Sequence, residues 1–262
     1  MAYAHRLQGS RYELKYVIDE GLVRPLREFA SSYLVPDEHA DPANNCEYQV
    51  HSLYLDSPTL ALCRATMQGH KNRFKLRIRF YDLEADSPAF FEIKQRVSNV
   101  ILKQRAKVRR SAARELLAGH WPEPSYLVAD NGNGGNDYGA LQRFCSLRDT
   151  IHARGRAFVS YMREAYVTPN DDSIRVTFDR QISGRSYQGS FDITTASKPV
   201  FPRIDGPVLE LKFTDRFPNW MREMVTAFDL ERTSMAKYVS CVRKLAAIPA
   251  GLIGEFLECE DE

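Results

Sequence analysis

The sequence predicts an α+β fold: a closed antiparallel β-barrel of about eight strands with helices packed outside. Three observations carry this. Eight segments combine β-branched or aromatic residues with period-two alternation, namely 11–18, 47–56, 73–81, 89–96, 100–110, 157–167, 173–181 and 208–213. Helical patterns are the minority. Several strands carry charged residues at every second position on one face and apolar residues on the other, so the charged face has to be accommodated somewhere.

The elements follow in order. Asp19 is placed to cap a helix running toward Tyr33, with Pro25 tolerated if it falls in the first turn. Ser57-Pro58 reads as an N-cap and first helical residue for a helix through Met67. Ser98-Asn99 marks a hairpin between the fourth and fifth strands. Ser111 can cap 112–118, and 138–153 is amphipathic, with Leu141, Phe144, Cys145 and Leu147 on one side. Between them, 130–137 (DNGNGGND) reads as a loop joining two halves of one barrel. Two further helices are expected at 218–228 and 234–247. With no fixed-period repeat, 1–262 reads as a single domain with a short N-terminal lead and an acidic C-terminal tail.

Composition narrows the function classes. The net charge of +2 points to no global partner. Between Lys71 and Arg110, however, twelve basic residues face four acids, which marks a local anion site. The five cysteines form no CxxC pair and no Cys/His spacing, which argues against structural zinc and for a reducing compartment. No apolar stretch approaches a membrane span, so the chain is expected to be cytoplasmic, with no membrane insertion of its own.

The charged faces carry the chemistry. Glu13 and Lys15 share one face, as do Lys75, Arg77 and Arg79; so do Glu92 and Lys94, and Lys103, Arg105, Lys107 and Arg109. Arg175, Thr177 and Asp179 form another row, and Glu210 with Lys212 a sixth. A single such row is ordinarily a solvated face. Across six strands, like-charged rows repel unless anions or carboxylates neutralise them, and Arg suits bidentate phosphate recognition. Pointed inward, the rows would line a wet cationic tunnel. The aromatics interleaved with them fall on the opposite face and offer no stacking platform, so a nucleic-acid partner is not expected. His51 has no triad spacing and reads as structural, and Asp56 reads as the cap of the following turn.

Eight strings in order, RYELKYVID, YQVHSLYLDSP, FKLRIRFYD, FFEIKQR, ILKQRAKV, IRVTFDR, VLELKF and SMAKYVSCV, resemble the VTC domain. That family includes the polyphosphate polymerase domain of the vacuolar transporter chaperone complex, within the triphosphate tunnel metalloenzymes. The resemblance is to a stand-alone bacterial-type member, without a regulatory SPX domain or membrane segments. It implies that Lys15, Arg77, Arg79, Lys94, Lys103, Arg105, Arg163 and Arg175 hold phosphates. Glu210, with Glu13, would bind a divalent metal (Mn or Mg), and Ser234 and Lys237 lie in the C-terminal helix motif beside the terminal phosphate. The implied catalytic set is thus Lys237, Ser234 and Glu210. One departure stands out: where the superfamily's first strand has ExExK, Arg11 replaces the first Glu, which disfavours a two-metal hydrolase. The expected activity is transfer of the γ-phosphate of a nucleoside triphosphate, ATP for example, to a polyphosphate chain. A triphosphatase or polyphosphatase, or a non-catalytic polyphosphate-binding module, uses the same basic rows. The expected partners are nucleoside triphosphate and inorganic polyphosphate, with room for a membrane-protein partner.

Overall fold

The structure, a computed structural model, describes residues 11–98, 100–128, 134–169 and 173–246. Among the described residues, nine antiparallel strands form one sheet: β1 (Arg11–Val17), β2 (Val35–Pro36), β3 (Glu47–Asp56), β4 (Asn72–Phe80), β5 (Ala89–Val97), β6 (Val100–Val108), β7 (Arg154–Val167), β8 (Ile174–Ser186) and β9 (Val208–Thr214). Six α-helices accompany them: α1 (Val23–Ser31), α2 (Ala61–Met67), α3 (Arg110–Leu117), α4 (Gly134–Thr150), α5 (Asn219–Ala227) and α6 (Lys237–Ala246).

The strand order is β2-β7-β3-β4-β5-β6-β1-β9-β8, and β7 pairs with β8 as well as with β3. The sheet therefore curls round on itself. Its weak place is the β6–β1 seam, where the register holds one pair, Arg11↔Ile101, while β1 is fully laddered to β9 from Arg11↔Thr214 to Val17↔Val208. The expected closed barrel is thus a curled antiparallel sheet without a continuous ladder at that seam. A seven-residue β1 committed along its whole length to β9 leaves β6 after its first residue.

The convex face is apolar and covered in two patches. Leu76, Ile78, Phe91, Ile93 and Ala106 pack under Ala113 and Leu116 of α3 and Leu141 and Phe144 of α4. Leu209, Leu211, Val176 and Phe178 pack under Leu26 of α1 and Met221 and Met224 of α5. Burial of these side chains removes apolar surface from water at roughly 25 cal/mol per Å² and fixes which face of each strand turns inward.

The sixth helix departs from the expectation of helices outside. It packs on the concave face: Cys241, Val242 and Leu245 meet Val50, Val159, Ile182 and Val208, all on the inward register of their strands. Gly184 permits this approach, because a Cβ there would lie 2.7 Å from Cys241 Cβ. Below α6, buried Asp56 accepts hydrogen bonds from the Leu62 and Cys63 amides (both 2.9 Å) and from Tyr238 Oη (2.9 Å). It thereby ties β3 to the starts of both α2 and α6.

Several local expectations shift. Asp19 caps a 3₁₀ turn, Glu20–Leu22, ahead of α1, and Pro25 does fall in the first turn of α1. Ser57 Oγ accepts from the Ala61 amide, and α2 starts at Ala61 behind a left-handed Leu60 rather than at Pro58. Arg109, not Ser111, occupies the N-cap of α3. The glycine-rich stretch is a loop for less of its length than expected, since α4 starts at Gly134. The short β2, which pairs with β7, has no alternating signature to reveal it. Asn99, 130–133 and the acidic tail lie outside the described residues.

Candidate functional site: a cationic cavity on the concave face

The inward register gathers the charged rows of the strands into one place. A cavity of about 300 Å³ is lined by Glu13, Lys15, Lys75, Arg77, Arg79, Lys94, Lys103, Arg105, Arg163, Arg175, Glu210, Lys212 and Lys237, among others. Every phosphate-binding candidate from the sequence is in this set. Ser234 is not. It lines a second cavity of about 660 Å³, together with Arg73, Arg96, Arg232 and Arg243. The two cavities share Glu13, Lys15, Lys75, Lys94, Ile101 and Ala236, so they adjoin across these side chains. Lys107 and Arg109, the end of the basic row, line neither cavity: Lys107 lies on β6 beyond the cavity wall, paired with Phe90, and Arg109 follows the end of β6 and turns the chain into α3.

Each inward carboxylate is held by cations. Glu92, fully buried, accepts from Arg77 Nε (2.7 Å) and lies 2.8 Å from Lys103, 3.6 Å from Arg105 and 4.0 Å from Arg79. Burial alone would raise its pKa, but Arg77 and then Lys103 outweigh it and hold the carboxyl well below the usual range. Asp179 takes a bidentate pair from Arg163, at 2.7 and 2.8 Å. Glu210 lies 2.6 Å from Lys212, 2.7 Å from Lys237, 3.3 Å from Lys15 and 3.6 Å from Arg163. Glu13 accepts from Lys94 (2.5 Å) and contacts Lys15 (3.2 Å). Since Lys94 stands on β5 and Glu13 on β1, this pair ties the two sides of the weak seam together.

Lys237 is the inner tip of α6. Its ammonium sits 2.6 Å from Asp179 and 2.7 Å from Glu210. Burial lowers its pKa, yet Asp179 and Glu210 more than compensate and keep it charged. Lys75 differs. Among the described residues it makes no hydrogen bond or ion pair, and burial, with Lys15 and Lys94 nearby, pulls its pKa down to about 7. It lines both cavities. The Nε atoms of Arg105 and Arg175 are also buried without a hydrogen-bond acceptor. These are donors without a match in the protein, on the walls of a cavity suited to anions.

The same cavity exposes tyrosines that the sequence pattern did not assign to it. Tyr54 accepts from Arg77 (3.3 Å) and Tyr161 from Arg79 (3.0 Å), and Tyr48 and Tyr81 line the wall as well. The aromatics paired with the charged rows do face outward, but β3 carries Tyr48 and Tyr54 inward, opposite Arg163 and Arg77 in register, and β7 carries Tyr161 inward, opposite Val50. The alternation of β3 (Tyr48, Val50, Ser52, Tyr54) is the signal that could have found them. His51 and Asp56 take no part in the cavity. His51 packs on Phe80 and hydrogen-bonds Ser160 (2.7 Å), with its pKa lowered to about 4, first by burial.

A divalent metal has a definite but partial fit. No three His, Cys, Asp or Glu side chains cluster as a cage among the described residues. Glu13 and Glu210 offer hard oxygen donors on either side of the Lys15 ammonium, which already fills a cation position between them. Mg²⁺ and similar ions commonly take one or two carboxylates and complete their shell with phosphate oxygens and water. The pair therefore fits a metal arriving with a phosphate ligand.

Comparison with known proteins adds a family. Two solved structures superpose over most of the chain. One, from Pyrococcus horikoshii OT3, is 11% identical, with 89% of this chain and 99% of that one covered at a TM-score of 0.45. The other, from Bacillus halodurans and described as a candidate adenylate cyclase, is 12% identical over 87% and 95% at a TM-score of 0.45. A comparison with curated protein sequences gives no match. No helix among the described residues is long and apolar enough to cross a membrane. The model of the VTC domain matches residues 10–246, which takes in every strand and helix described above, and the chain belongs to the VTC domain family.

Proposed function

We propose that the concave cavity is a phosphate tunnel in which the γ-phosphate of a nucleoside triphosphate is transferred to the end of a polyphosphate chain. The observation that carries this reading is the gathering of eight phosphate-binding candidates from six strands on the walls of one cavity, with a second cavity beside it that shares Lys15, Lys75 and Lys94. A substrate entering one and a product leaving by the other need not exchange places. Membership of the VTC domain family supports a phosphoryl-transfer role.

In the transfer, an oxygen of the chain's terminal phosphate bonds to the γ-phosphorus. The bond from that phosphorus to the β–γ bridging oxygen breaks, and nucleoside diphosphate leaves with the electron pair. Charge spreads over the γ-oxygens, so the protein's share of the work is positioning and electrostatic stabilisation. Arg77, Arg79, Lys103 and Arg105 surround Glu92 on one wall, with Lys94 beside Lys103 on the same wall, and Arg163, Arg175 and Lys15 come from the strands around the rest of the cavity. Lys237, held by Asp179 and Glu210, orients the transferred group, while Ser234 stands in the second cavity. A divalent metal on Glu210 with Glu13 would supply further neutralisation of the phosphate oxygens.

The test is incubation of the purified protein with ATP and Mn²⁺, followed by separate assays of polyphosphate and free phosphate. Chains are the expected product; free phosphate alone would assign the site to hydrolysis. Glu210→Gln is expected to abolish turnover while retaining tripolyphosphate binding. If wild type binds tripolyphosphate but turns over no triphosphate with any metal, the site is a binding module.

A further inference from the structure

The two adjoining cavities differ in chemistry. The larger cavity presents guanidinium groups, Arg73, Arg96, Arg232 and Arg243. The smaller one ends in aromatic rings. His39 stacks on Tyr81 (centroids 5.0 Å apart, 29° between planes) and meets Tyr48 edge-on at 5.5 Å. Tyr81 in turn packs edge-on against Phe90 at 5.8 Å, and the Arg105 guanidinium lies 3.6 Å from the Phe90 centroid.

A bare phosphate chain gains nothing from such rings, because an aromatic face is the negative part of its quadrupole. The rings are also not simply core. His39 keeps 43% of its side chain exposed, and Tyr48 and Tyr81 line the cavity while half-buried. Tyr48 is oriented by donating to Asp37 (2.9 Å) and accepting from Arg175 (3.2 Å), so its plane is fixed before any ligand arrives. Tyr81 immediately follows β4, whose inward residues then run Arg79, Arg77, Lys75 and Arg73 to the larger cavity. Successive inward positions are about 7 Å apart along a strand. An aromatic group at Tyr81 would thus be followed immediately by phosphate-binding cations.

We infer that the His39–Tyr48–Tyr81 mouth seats the aromatic base of the nucleoside triphosphate, so that the nucleotide enters there with its γ-phosphate inward and the phosphate chain leaves past the arginines. The inference rests on the phosphate-tunnel reading and adds to it the seat of the nucleoside and the direction of travel.

Binding of the β,γ-imido analogue of ATP and of tripolyphosphate is measured by titration calorimetry on wild type, Tyr81→Ala, His39→Ala and Tyr81→Phe. The analogue should bind Tyr81→Ala and His39→Ala more weakly by roughly 5- to 100-fold, the usual effect of losing one base–aromatic stack. Tripolyphosphate should bind all four proteins within about a factor of two, which also shows that the variants are folded. Tyr81→Phe keeps the ring and should keep the analogue. Equal weakening of both ligands, or weakening of neither, overturns the base site and leaves the tunnel standing. Failure of tripolyphosphate to bind wild type overturns the tunnel reading and the base site with it.

Discussion

Replacing Glu92 by Gln tests whether the inward carboxylates stand in for phosphate. The substitution keeps the shape and removes one charge from a fully buried position, leaving Arg77, Arg79, Lys103 and Arg105 without their common anion. Removing one partner of a buried ion pair costs about 3–5 kcal/mol. Lys103 and Arg105, with 37% and 38% of their side chains exposed, can turn toward water, so the lower figure of about 3 kcal/mol applies. For a chain of this size that lowers the melting temperature by about 6–12 °C in phosphate-free buffer. Tripolyphosphate, supplying the missing charge, should then raise the melting temperature of Glu92→Gln more than that of wild type. The pH dependence has a definite sign. Glu92 has a depressed pKa in the folded protein, so its contribution is complete above the ordinary value of 4.5 and lost only as pH falls below it. The gap between the two proteins should therefore close only in acid. A variant as stable as wild type at neutral pH, or one that gains no more from tripolyphosphate, would refute the reasoning.

Two further changes address other parts of the site. Lys75, with its pKa pulled down to about 7 and no partner of its own, should regain its proton when a phosphate arrives. Tripolyphosphate affinity should therefore be highest below that value and decline as pH rises through it; in Lys75→Met affinity at low pH drops by about tenfold or more and that step in the profile disappears, as read by titration at several pH values. Gly184→Ala brings a Cβ to 2.7 Å from Cys241 Cβ and pushes α6 off β8, which should cost about 1–3 kcal/mol in thermal unfolding and lower turnover through displacement of Lys237.

The parts of this site legible in the sequence are those written in period two. Lys75-Arg77-Arg79, Glu92-Lys94 and Glu210-Lys212 could be assigned to one face because Leu76, Ile78, Ile93 and Leu211 between them are strongly apolar, and the helices confirm which side that is. The strand β3 was harder to read. Its inward residues Tyr48, Val50, Ser52 and Tyr54 are no more polar than its outward ones, because they serve two neighbours: Val50 and Tyr54 pack with α6, while Tyr48, Ser52 and Tyr54 meet arginines of the cavity. For the same reason the place of α6 was hidden: its apolar stripe, Val239, Val242 and Leu245, tells that it packs but not on which face of the sheet. The basic row overextends at Arg109 because alternation continues in sequence beyond Val108, where the strand ends, whereas Lys107 is still paired with Phe90 but lies past the cavity wall. The partners of Lys237 come from strands β8 and β9, a juxtaposition that only the register of the sheet creates.

The pairing of Glu13, Glu92, Asp179 and Glu210 with cations makes the cavity an ion exchanger loaded with its own tethered counter-ions. Glu13, Glu92, Asp179 and Glu210 compete for the lysines and arginines from positions a few ångströms away, at an effective concentration that no free monovalent anion in solution matches. Chloride or a single phosphate has to displace a carboxylate one site at a time. A chain of linked phosphates presents its charges together, and each unit bound raises the local concentration of the next. On the proposed phosphate-tunnel reading, selectivity for polyanions would follow from the carboxylates as much as from the cations, and thinning out the acids should make the cavity bind more anions while distinguishing among them less.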